Sequence, residues 1–142
     1  MQLTRFQKIT LGIGGITALS IGSFITLSPH AFYASYHIVL GQDPNLLSEL
    51  RAPGAGLAVL GAIMLAGIVR AAMTPVAITA ALTVYLAFPA GRVVGIAIDG
   101  VPSNSIIGAL VVEVIIAALL LAAFRNRSFL SPRSERFVKL NG

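Results

Sequence analysis

Residues 103–124 read SNSIIGALVVEVIIAALLLAAF, an apolar run with a single charge, Glu113, near its middle. A helix rises about 1.5 Å per residue, so about 20 such residues cross the roughly 30 Å hydrocarbon core of a bilayer. Pro102 stands before the run and Arg125 after it, which bounds a membrane-spanning helix over about 103–124. Lipid is then the solvent against which the rest of the chain has to be read.

The composition agrees. Of 142 residues, 56% are hydrophobic and 11% are charged, against roughly a quarter charged in soluble domains. A water-soluble domain of this size cannot hide that much apolar surface, because small folds leave a large share of it exposed. Three more spans follow. The first is expected over about 9–27, after Arg5 and Lys8 and before Ser28-Pro29. A basic start and an apolar run are also features of secretory signals. This run is longer than a signal core, and Phe32 and Tyr33 stand where a cleavage site wants small residues, so it reads as an uncleaved span. The second span is expected over about 52–69, its helix starting earlier with Asp43 as N-cap and Pro44 at the first helical position. Pro53 is expected to kink it. The third covers about 75–98, with Pro89 as a bend. The expected fold is an all-α four-helix transmembrane bundle, one domain over 1–142 with a basic tail at 125–142.

The orientation follows from Lys and Arg, which accumulate on the cytoplasmic side. Arg5, Lys8, Arg70, Arg125, Arg127, Arg133, Arg136 and Lys139 fall on one side, eight in all, and Arg51 and Arg92 on the other. Both termini and the Arg70 loop are therefore expected in the cytoplasm, with loops 28–51 and 92–104 outside. The basic tail suits contact with anionic lipid. This placement also explains the net charge of +5 better than a nucleic-acid partner does.

The first outer loop carries Phe32, Tyr33 and Tyr36, rings suited to the headgroup region. Residues 29–40 are too few to span and are expected to form a short interfacial helix. On such a helix His30, Tyr33 and His37 share one face. Two histidines fall short of the three or four converging ligands a metal needs, so water-exposed interfacial histidines are the preferred reading. Small residues recur at every fourth position, Gly14, Ala18 and Gly22 on the first span and Gly54, Ala58, Ala62 and Ala66 on the second. The preferred reading is close packing within the chain's own bundle, with a dimer face as the alternative.

Charges in the spans carry most of the functional information. An ionised Glu113 facing lipid costs at least about 2.5–3.5 kcal/mol, so it has to face the bundle interior, find a cation or take up a proton. Arg51 and Arg92 are the candidate partners, since a guanidinium on its long stem pairs two-pronged with a carboxylate. Glu49, Arg51, Arg92, Asp99 and Glu113 are thus expected to form one intramembrane network in the outer half. Two readings compete: a structural network that fixes helix register, and a functional one that lines a pocket or proton path.

Several chemistries are excluded. With no cysteine there is no disulfide, thiol catalysis, thiolate-bound zinc or iron–sulfur cluster. The glycines at 12, 14 and 15 lie inside a span with no Gly-Lys-Ser/Thr after them, and neither histidine adjoins a Ser–Asp pair for a triad.

The element Ser48-Glu49-Leu50-Arg51 opening the second span, Gly91-Arg92, Asp99-Gly100-Val101-Pro102 and Glu113 resemble the family catalogued as domain of unknown function 4345, over about residues 9–124. The resemblance implies a four-helix bundle in a bacterial inner membrane and brings no established activity. Pro53 departs from it, where a bulkier or aromatic residue is expected. More distantly the architecture is similar to DoxX-like proteins, whose thiol-redox role does not carry over to a chain without cysteine. The expected function is a non-enzymatic accessory subunit or a small-molecule or lipid binder, without cofactor. Its expected partners are membrane lipids, other membrane subunits or a second copy. A small transporter or proton-coupled carrier using the outer-half charge cluster, Glu113 with Arg92 or Arg51, is the alternative.

Overall fold

Each long apolar run begins on a recognisable local signal. In the computed structural model, which describes residues 2–125, helix α1 spans Arg5–Leu27. Thr4 caps it reciprocally: its hydroxyl accepts from the Gln7 amide at 3.3 Å, and the Gln7 side chain accepts from the Thr4 amide at 3.1 Å. A short helix α2 follows at Pro29–Ala34. Helix α3 spans Pro44–Val69, with the Asp43 carboxylate accepting from the Asn45 amide at 2.9 Å and Pro44 in the first turn. A 3₁₀ turn at Ala71–Met73 leads into α4 at Thr74–Asp99, and α5 covers Asn104–Phe124. Pro53 and Pro89 sit inside α3 and α4. All four long helices are long and apolar enough to cross a membrane. The tail cations Arg127, Arg133, Arg136 and Lys139 lie outside the described residues.

Helix α2 is shorter than the 29–40 expected from the sequence. His37 takes a left-handed backbone conformation, φ 63°. The Ile38 amide then bonds back to the Tyr33 carbonyl at 3.1 Å and the His37 amide to that of Ala34 at 3.0 Å. This pair of bonds ends a helix by satisfying its last carbonyls. His37 therefore leaves the helical face that carries His30 and Tyr33, and the face inferred from spacing does not form. His30 instead meets the Gly41 carbonyl at 3.1 Å, tying α2 to the turn before α3.

The long helices close a ring in which α1 packs on α3, α3 on α4, α4 on α5 and α5 back on α1. Helices α3 and α5 are diagonal, with no close backbone approach. The tightest contact is α1 on α3. A Cβ on Gly22 would strike the Ala58 amide nitrogen and stand 2.5 Å from the Gly54 carbonyl oxygen. A Cβ on Gly61 would strike the Leu19 nitrogen and stand 2.7 Å from the Gly15 carbonyl. The seam thus uses glycines seven apart, Gly15 and Gly22 against Gly54 and Gly61. It overlaps the four-residue pattern only at Gly22, Gly54 and Ala58, and Ala62 is exposed.

The filled core lies toward the end of the bundle that holds the described termini. Leu11, Met64, Ile78, Ala81 and Leu120 are wholly buried there. Gln7 donates across to the Ala123 carbonyl at 2.8 Å, joining the start of α1 to the end of α5. Thr74 donates to the Gly67 carbonyl at 3.0 Å in the α3–α4 corner. Toward the α2 end the interior is not filled: no residue of α5 before Ile116 is buried.

Candidate functional site

The unfilled half is a cavity of about 410 Å³, within the range of small-molecule sites. Helix α1 contributes Thr17, Ala18 and Ile21 to its wall. Val84, Tyr85, Phe88 and Arg92 come from α4, and Ser105, Ala109, Val112 and Glu113 from α5. Phe32 and Tyr33 of α2, Tyr36 and Ile38 just beyond it, and Leu57 of α3 line the rest. Phe32 holds these rings together, edge-on to Phe24 at 5.6 Å and to Tyr33 at 5.2 Å between centroids. The turn that ends α2 at His37 keeps its aromatic face on this half of the bundle.

Most of the wall is apolar, and its one ion pair joins neighbouring helices. Arg92 Nε donates to Glu113 Oε2 at 2.9 Å and Nη2 to Oε1 at 3.0 Å. This two-pronged geometry is the strongest form of the contact. Arg92 lies about 10 Å along the axis from the end of α4, where an antiparallel α5 brings up Glu113. The pair is not sealed. The Arg92 side chain is 31% exposed and that of Glu113 16%, through the cavity they line.

Two of the five charges expected to form one network are therefore joined, and three lie apart from them. Arg51 donates to the Thr26 carbonyl near the end of α1, where a cation also answers the helix dipole. It does not pair with Glu113: α3 and α5 are diagonal, with no close backbone approach. Glu49 and Asp99 are exposed and take no part in an ion pair among the described residues.

Tyr85 was not singled out by the sequence reading. Its hydroxyl donates to the Gly14 carbonyl at 2.7 Å, pinning α4 to α1 at the floor of the cavity. A phenol deep in an apolar span needs such a partner, and that is the signal by which it was legible. Burial pushes the Tyr33 phenol above its ordinary value, and the Arg92 charge nearby pulls against the shift. Like any phenol, Tyr33 is neutral at physiological pH. Among the described residues no three His, Asp or Glu side chains converge as metal ligands.

Residues 6–124 match the family described as domain of unknown function (DUF4345). The chain belongs to this family. No curated protein and no solved structure gives a significant match to it. The DUF4345 span takes in the Arg92–Glu113 pair and the whole cavity wall. The DUF4345 description names no activity, so function has to be argued from the site.

Proposed function

We propose that this DUF4345 protein is a non-enzymatic multi-pass protein of the bacterial inner membrane that holds an amphipathic small molecule between α1, α4 and α5. It would act alone or as an accessory subunit of a membrane complex. The observation that carries the reading is a cavity with a mostly apolar wall and a polar end at Arg92 and Glu113. Such sites take their affinity from apolar burial and their orientation from a few placed polar groups. The test is native mass spectrometry of protein extracted in lipid patches without added ligand. Wild type is expected to retain a small-molecule adduct. Ala109→Phe, which puts a ring into the cavity, is expected to lose it while folding normally. No adduct on either, or equal adducts on both, contradicts the reading.

A proton-coupled carrier is a second reading, since the cavity reaches the Glu113 carboxylate. The two-pronged bond to Arg92 weighs against it, because a carboxylate that cycles a proton has to release its partner each time.

The proposal includes orientation, with both termini cytoplasmic and the cavity in the outer half, on the bias of basic residues. Single cysteines test it without background, since the chain has none of its own. In cells with a permeabilised outer envelope, an impermeant maleimide is expected to label Ser35→Cys directly and Ala72→Cys only after lysis. The reverse pattern contradicts the orientation.

A further inference from the structure

The polar end of the cavity is electrically closed but not closed to hydrogen bonding. A guanidinium carries five N–H groups, and Glu113 takes two of Arg92's. The remaining three, two on Nη1 and one on Nη2, have no protein acceptor among the described residues. The phenols of Tyr33 and Tyr36, neutral at physiological pH as phenols ordinarily are, line the same space and can donate there. The site therefore offers donors without net positive charge. An anion entering it gains attraction to Arg92 and loses it to repulsion from Glu113, while still bearing the cost of its own desolvation. A cation meets the mirror-image problem. An uncharged acceptor bears neither.

The apolar part of the wall has a shape preference as well. Phe32, Tyr33, Tyr36, Tyr85 and Phe88 all face the cavity, five of the ten aromatic residues in the chain. Rings on several sides favour a flat ring between them over a bare alkyl chain.

We infer that the cavity selects an uncharged amphiphile with a planar ring bearing a carbonyl-type acceptor, received by the free Arg92 N–H groups, and that Glu113 is the residue that excludes anions. The inference rests on the binding function proposed above and adds to it the class of ligand and the residue that sets specificity.

The protein carries its own reporter. It has three tyrosines and no tryptophan, and all three tyrosines line the cavity. Intrinsic emission from protein in phosphatidylcholine vesicles therefore reads this site alone. Three probes share one ring and chain and differ in charge: para-octylacetophenone, para-octylbenzoate and para-octylbenzylammonium. At neutral pH the ketone is expected to change the emission saturably, with an affinity at least about tenfold above either ion, or roughly 1.4 kcal/mol. In Glu113→Gln, where the arginine charge is uncompensated, the benzoate is expected to gain about tenfold or more and the ketone to shift less than about threefold. Either ion binding wild type as tightly as the ketone overturns the inference and leaves the binding function standing. An unchanged benzoate affinity in Glu113→Gln overturns the role of Glu113. No saturable change with any of the three overturns the binding function itself. If Glu113→Gln fails to fold, the wild-type series decides the ligand class, and the same gain of benzoate affinity, present or absent in Glu113→Ala, decides the role of Glu113.

Discussion

Gly22→Leu and Gly61→Leu are each expected to abolish recovery of folded, monodisperse protein in mild detergent, with the corresponding alanine variants recovered at sharply reduced thermal stability. At both positions an added Cβ meets the backbone of the facing helix. A flexible side chain can turn aside from such a contact, and backbone cannot, so α1 and α3 have to separate along their whole seam. In a membrane that separation is doubly harmful, since no hydrophobic force draws the helices together and their association depends on van der Waals contact itself. Overpacking of this kind costs about 1–3 kcal/mol in ordinary cores and occasionally more, a large part of a typical stability of about 5–15 kcal/mol. Gly56→Leu is the control. Its Cβ would meet nothing within 4 Å, and leucine is the better helix former, so its melting temperature is expected to hold or rise. Equal tolerance at Gly22, Gly61 and Gly56 contradicts the seam.

The second large effect concerns the ion pair. Arg92→Met and Glu113→Leu are each expected to destabilise the bundle strongly, and the double replacement much less than either. Removing one member of a buried pair costs about 3–5 kcal/mol, because a charge is left without its partner in a poor solvent for it. The upper end does not apply here, as Arg92 is 31% exposed and water screens part of the loss. The two single variants also differ. A lone carboxyl can escape by taking up a proton, whereas a guanidinium stays charged. Glu113→Leu is therefore expected to be the worse of the two. Replacing both with apolar residues of similar size is often neutral or stabilising. Melting temperatures of the four proteins in one detergent form the double-mutant cycle. A double variant as unstable as the sum of the singles contradicts direct pairing.

Much of this architecture is legible before any coordinates. The spans are bounded by apolar runs and by strong local signals, so Asp43-Pro44 and Pro102 mark helix starts almost to the residue. Glu113 stands out because a carboxylate in an apolar run has to be answered. Other features escape for physical reasons. The end of α2 depends on His37 adopting a left-handed backbone, which no spacing of apolar residues announces. The glycine seam follows a seven-residue interval because α1 and α3 keep one face in contact over several turns, and short four-residue matches catch only part of it. Arg51 and Arg92 look equivalent as partners for Glu113 when only depth is considered. They differ in which helix neighbours α5, and that is a property of the ring order, not of the chain. The cavity is hardest to foresee of all, being a volume that side chains do not fill.

Whether the Arg92–Glu113 pair serves ligand binding or only helix register is decided by one comparison: binding of para-octylacetophenone to wild type and to the Arg92→Met/Glu113→Leu double variant in the same vesicles. The account predicts that the double variant folds with near wild-type stability and loses at least about tenfold in affinity, since the cavity keeps its shape and loses the Arg92 donors. Unchanged affinity in a folded double variant would mean that the pair merely holds α4 to α5, and would contradict the account.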